Sequence, residues 1–130
     1  MSHRQYLDFH REATDCLWIT PLDGSIDFRQ PEAIPELKSL QQELEESDIA
    51  RFVIDLSLLP YFGSTLLEWV VTLWKRAKDR NGGLVLFGPT QLGLDVLKVV
   101  HFDTLLPITD TREEALRLVR EPCASPRPSS

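Results

Sequence analysis

One stretch constrains the fold more than any other: Arg51 to Arg80 reads as a buried strand, a sharp break and a long amphipathic helix. Arg51-Phe-Val-Ile-Asp-Leu-Ser57 is a near-continuous apolar, β-branched run. Such a run suits a strand covered on both faces of a parallel sheet better than one with a solvated face. Pro60 ends it, because proline has no N–H for a ladder. After Tyr61-Phe62-Gly63 a helix is predicted from Ser64 or Thr65, where Thr65 and Glu68 have the spacing of a capping box. Leu66, Leu67, Val70, Val71, Leu73, Trp74 and Ala77 form its apolar stripe. Lys75, Arg76, Lys78 and Arg80 put cations near its negative end, and Asn81-Gly82-Gly83 supplies the stop.

The rest of the chain repeats the strand-and-helix theme. Tyr6 to about Thr14 is a weak strand and Cys16 to Thr20 a stronger one, and together they suit a hairpin. Pro31 to Ser47 is a helix with Pro31 or Pro35 in its first turn and Ile34, Leu37, Leu40 and Leu44 on one face. Its Glu43 to Asp48 acidic run is read as a solvated face. Gly83 to Phe87 is a third parallel-type strand, Gly88-Pro89 a turn, and Thr90 the cap of a helix through Val100 that Gly93 weakens. Leu105 to Ile108 is expected as a short edge strand, since proline is tolerated at an edge. A last helix opens at Asp110 or Thr111 and buries Ala115, Leu116 and Val119. The expectation is one α/β domain over residues 1–120, with about five strands in a mostly parallel or mixed sheet and about four helices. Glu121 to Ser130 is expected to be a disordered Pro/Ser-rich tail.

At 130 residues the chain holds one core. A formal charge of −6 argues against a nucleic-acid footprint, which needs a basic face to release counterions, and favours a basic protein surface as partner. No run reaches the roughly 20 apolar residues of a membrane helix, and no signal-peptide core follows Met1, so a cytoplasmic protein is expected. Cys16 and Cys123 lack C-x-x-C spacing and read as free thiols. His3, His10 and His101 show no ligand spacing, so neither metal nor cofactor is expected. Phosphate-loop, dinucleotide and G-x-S-x-G motifs are missing. Phe62-Gly63-Ser64 imitates a nucleophile elbow, yet no histidine is placed to act as its base, so catalysis is not expected.

Asp55-Leu56-Ser57, followed by Phe62-Gly63-Ser64-Thr65-Leu66, resembles the D-L-S…(F/M)-D-S-(S/T)-G motif of STAS domains, in particular bacterial anti-sigma factor antagonists. Gly24-Ser25-Ile26-Asp27 resembles the G-x-(L/I)-D signature that follows the second strand of these domains, although an Asp-Gly turn by itself explains Asp23-Gly24. The resemblance runs from Tyr6 to Val119. It implies a regulator that binds an anti-sigma factor which is also a serine kinase, with Ser64 as the phosphorylated residue and a phosphatase completing the cycle. The partner-binding residues it implies are Asp23, Gly24, Ser25 and Asp27 in one loop, and Tyr61, Phe62, Gly63, Thr65 and Leu66 in the other. Gly63 stands where the family has an acid, and Leu66, where it has glycine, is expected to add bulk on the side a kinase approaches.

In a parallel sheet the loops beyond the strand carboxyl ends share one edge, so Asp23–Asp27, Pro60–Thr65 and Gly88–Thr90 are expected to converge. Ser64 has a plain alternative as a helix cap, and capping is compatible with modification. Tyr61 and Phe62 are read as an exposed contact pair or as loop packing. Trp18, Trp69 and Trp74 are read as core. Two further readings of the same edge stay open: an unphosphorylated scaffold subunit of a signalling or lipid-transport complex, and a nucleotide or small-ligand sensor.

Overall fold

A computed structural model describes residues 6–13, 15–22, 31, 33–46 and 49–120. Five strands form one sheet in the order β1-β2-β3-β4-β5, built from Leu7–Ala13, Cys16–Pro21, Arg51–Asp55, Gly83–Phe87 and Ile108–Thr109. The first pair is the antiparallel hairpin, and the three pairs that follow are parallel. The helices are α1 (Ile34–Glu46), α2 (Ser64–Asp79), α3 (Gln91–Val99), the single turn α4 (Phe102–Leu105) and α5 (Arg112–Leu118). The expected α/β class and mixed sheet are therefore present. The tail Glu121 to Ser130, including Cys123, and the Asp23 to Asp27 loop lie outside the described residues.

Side chains alternate across the pleat, and both faces of the central strands are apolar. Leu17, Ile19, Phe52, Ile54, Leu84 and Leu86 point into the larger core with Leu40 and Leu44 of α1, Leu66, Val70, Leu73 and Ala77 of α2, and Leu97 of α3. Cys16, Trp18, Val53 and Val85 point the other way, against Ala115 and Val119 near α5. This is why Phe-Val-Ile runs without a polar break: each face of β3 meets a helical layer. Trp18 is buried, while Trp69 and Trp74 pack half-buried against the larger core. α1 is tied to the hairpin by Glu36, whose Oε1 accepts from the backbone N–H groups of Tyr6 and Leu7 at 3.0 and 3.2 Å.

The stop after α2 divides its labour between two residues. Asn81 takes the left-handed conformation (φ 57°), with its N–H bonded to Lys78 O, and the Gly82 N–H reaches Ala77 O at 2.7 Å. That is the paired bonding of a Schellman motif with asparagine in the left-handed position. Gly82 is glycine for another reason: a Cβ there would sit 1.7 Å from Ala50 O.

Three local expectations change. The Thr65–Glu68 capping box does not form, because the extended cap residue is Gly63 (φ −104°, ψ −176°), which has no side chain to cap with. Thr65 thus lies inside the first turn rather than before it. Leu105 ends the helical turn α4, entered through a left-handed His101 (φ 65°), so the edge strand is confined to Ile108–Thr109. Gly93 lies buried in α3, where a Cβ would meet the Phe62 ring at 2.9 Å. Its cost in helix propensity is the condition for seating that ring.

Candidate functional site

The site is the turn between β3 and α2. Asp55 ends β3 and organises the chain around it: Oδ1 accepts from the Ser57 N–H at 2.9 Å and the Ser57 hydroxyl at 2.5 Å, and Oδ2 accepts from Trp18 Nε1 at 3.0 Å. The Asp-Leu-Ser triplet is thus a scaffold that fastens the turn to β2. Leu56 and Leu59 are buried, and a Leu59 N–H to Leu56 O bond of 3.1 Å closes the turn. Leu58 is left pointing outward, 59% exposed.

Pro60 and Thr90 join this turn to the next one. The Thr90 hydroxyl donates to Pro60 O at 3.1 Å and accepts from the Gly93 N–H at 3.2 Å, which makes it both a tether and the cap of α3. The Pro60–Thr65 and Gly88–Thr90 loops therefore meet on one edge, as parallel strands dictate.

Tyr61 and Phe62 part company. Tyr61 is 53% exposed, whereas Phe62 is 4% exposed and wedged against Gly93. Their expected exposure as a pair holds for Tyr61 alone. Leu66 is also buried, at 1%, as part of the larger core, so it adds no bulk to the surface that a kinase would approach. Phe62 and Leu66 shape the turn from below. Gly63, Ser64 and Thr65 continue the surface, the first two exposed and Thr65 half-buried.

Ser64 is the first residue of α2, one past the cap, and its hydroxyl has no hydrogen-bond partner among the described residues. The capping alternative for Ser64 therefore does not hold. The helix opens with a bond from the Leu67 N–H to Gly63 O at 3.3 Å, so the preceding amides of the first turn belong to the positive end of the helix. A Cβ on Gly63 would meet nothing within 4 Å. There is room at that position for the acid that the motif usually has.

Sequence reasoning missed the apolar rim. Leu58, Tyr61 and Leu92 are all more than half exposed, from the turn and from the first turn of the adjacent α3. Leu58 lies just before the strand-ending Pro60 and Leu92 in the helix after Thr90, and only the tertiary arrangement shows that both face outward. No group of His, Cys, Asp or Glu suited to a metal ion occurs among the described residues.

The STAS domain family model matches residues 10–115, from β1 into α5. The chain belongs to the STAS domain family. Similar solved structures include an anti-sigma-factor antagonist (STAS) domain protein from Planctomyces limnophilus, 26% identical, with a TM-score of 0.64 over 85% of this chain and 95% of that one. The anti-sigma factor antagonist SpoIIAA in its unphosphorylated form is 13% identical, with a TM-score of 0.69 over 88% and 96%. An anti-sigma factor antagonist from Mycobacterium paratuberculosis is 17% identical, with a TM-score of 0.66 over 93% and 100%. This STAS domain thus keeps the family's fold while carrying glycine beside its exposed serine.

Proposed function

We propose that this STAS domain is an anti-sigma factor antagonist that binds an anti-sigma factor with serine-kinase activity and is released when Ser64 is phosphorylated. The observation that carries the reading is Ser64 itself: an exposed hydroxyl on the first turn of α2, without a partner among the described residues, at the end of the turn that also exposes Leu58 and Tyr61. A phosphate there brings about −1.5 to −2 charges and three acceptor oxygens. The free domain tolerates them, because helix N-termini favour anions. A partner closed over Tyr61 and Leu58 does not, since desolvating an unpaired dianion costs several kcal/mol. The domain's net charge of −6 favours a basic partner surface, and it adds repulsion once the phosphate is in place. A phosphatase then resets the cycle.

Gly63 favours a second reading, in which Ser64 stays unmodified and the domain is a scaffold subunit of a signalling or lipid-transport assembly. The two readings separate by affinity. Tagged chain retained from its host should capture an anti-sigma factor carrying an ATP-binding kinase fold, and Tyr61→Ala and Ser64→Asp should each weaken that complex. Capture that is indifferent to both substitutions overturns the proposal.

A further inference from the structure

The opposite end of the sheet holds a second candidate site, which the Ser64 switch does not use. β3 begins at Arg51 and β4 at Gly83, so the strand amino ends lie away from the turn that carries Ser64. Between them, the Asp15 turn and the end of α2 lies a solvent-open pocket of about 150 Å³, lined by Asp15, Ala50, Arg51, Arg80, Asn81 and Gly82.

The described residues that line this pocket carry unbalanced charges. Among them, Asp15 is the one carboxylate, and both of its oxygens are occupied: Arg120 Nη1 donates to them at 2.7 and 2.9 Å, and Arg51 Nε donates to Oδ2 at 3.3 Å. Arg51 spends a further donor on Val119 O at 2.8 Å. A guanidinium has five N–H donors, so Arg51 has some left over. Arg80 has no ion pair or side-chain hydrogen bond among the described residues. Its backbone is nevertheless fixed, because the Arg80, Asn81 and Gly82 amides bond back to Ala77 and Lys78. The same bonds occupy the Ala77 and Lys78 carbonyls of the helix end. Gly82 lies so tightly on Ala50 that no side chain fits between them. Among the described lining residues, two arginines, Arg51 and Arg80, thus stand against one carboxylate that Arg120 already pairs, a cationic excess in a chain of net charge −6.

We infer that this pocket binds a phosphate-class oxyanion between the guanidinium groups of Arg51 and Arg80. Guanidinium matches phosphate geometry in a two-pronged fashion that lysine cannot. The pocket is several times the roughly 30 Å³ share of one water, which leaves room for an oxyanion and part of its shell. Orthophosphate and a phosphate monoester on a partner share this chemistry, and the test separates them.

The full chain is titrated calorimetrically with orthophosphate and, separately, with O-phosphoserine, at an ionic strength near 10 mM, where the screening length is about 30 Å. Saturable one-to-one binding of orthophosphate is expected, weakened about tenfold or more by Arg80→Gln, because a charge-assisted hydrogen bond contributes about that much. Amide signals of Asn81 and Gly82 should shift along the same titration. Arg80 is exposed, so its variant should melt with the wild type and keep the test independent of folding. Lys78→Gln is the control: Lys78 lies over the Trp74 ring and is not part of the pocket lining, and its loss should leave binding unchanged. Binding of both ligands assigns the site to phosphate monoesters, and binding of orthophosphate alone assigns it to the free oxyanion. Absence of saturable binding of either ligand, binding unaffected by Arg80→Gln, or an equal loss in Lys78→Gln overturns the inference. None of these results bears on whether Ser64 is modified.

Discussion

Replacing Gly63 with aspartate puts an acid at the cap of α2, and the structure sets the expected gain. The backbone there is extended and open to any residue, and a Cβ meets nothing within 4 Å, so neither strain nor collision offsets the benefit. Aspartate caps better than glycine by a few tenths of a kcal/mol. A negative charge at the positive end of the helix adds about 0.3–1 kcal/mol. The two together come to roughly 0.5–1.5 kcal/mol. With an unfolding entropy of about 2 cal/mol/K per residue over 130 residues, this is a rise in melting temperature of roughly 2–5 °C. Scanning calorimetry at low salt measures it, and Gly63→Asn, which caps without charge, isolates the dipole part. The helix lowers the pKa of the new carboxylate. The gain is therefore present above the unfolded value of about 3.9 and is lost as pH falls through the lower folded value. An unchanged or lower melting temperature at neutral pH, or a charge-dependent part that survives full protonation, refutes the assignment of Gly63 as the cap.

Other outcomes test other joints. Thr90→Ala removes the α3 cap and the tether to Pro60 together, and should cost about 1–3 kcal/mol in urea unfolding while speeding hydrogen exchange at Tyr61 to Gly63. Gly93→Ala should destabilise the domain despite its better helix propensity, because the Phe62 ring must shift. Burial pushes the Glu12 carboxyl up, but bonds from His10 and Arg112 pull it further down, to a net position below its ordinary value of 4.5. The stability it contributes is present above that value and lost as pH falls through the folded one. Arg112→Gln should accordingly flatten the acid limb of the stability profile. Burial raises the Cys16 thiol to about 11, so in a Cys123→Ser background a thiol reagent at pH 8 should label Cys16 only after unfolding.

The sequence made legible those features that neighbours along the chain determine. The apolar run of β3, the stripe of α2, the cap Thr90 and the cap Thr111, one of two residues expected for that role, all depend on residues within a few positions of one another. Features set by distant partners were not legible. Phe62 disappears into the core because Gly93, far along the chain, lacks a side chain to exclude it. Glu12, unpaired where the β1–β2 register shifts, bonds His10 and Arg112, and Arg112 also lies over the Trp18 ring. Nothing in the pattern near Glu12 announces a partner one hundred residues away. α4 is too short for periodicity to register, and the left-handed His101 that introduces it has no compositional signature. At the site, the motif picked out Ser64 and the elements placed it on an exposed helix start. The rim of Leu58 and Leu92 emerged only with the tertiary arrangement.

The switch turns on the Ser64 hydroxyl, and mass spectrometry of Ser64-containing peptides from chain expressed in its native host reads its state. Growth and stress samples should show a phosphate on Ser64 whose occupancy changes between them, with the site confirmed by its loss in Ser64→Ala. A Ser64 that is unmodified under every condition contradicts the switch and puts the scaffold reading ahead.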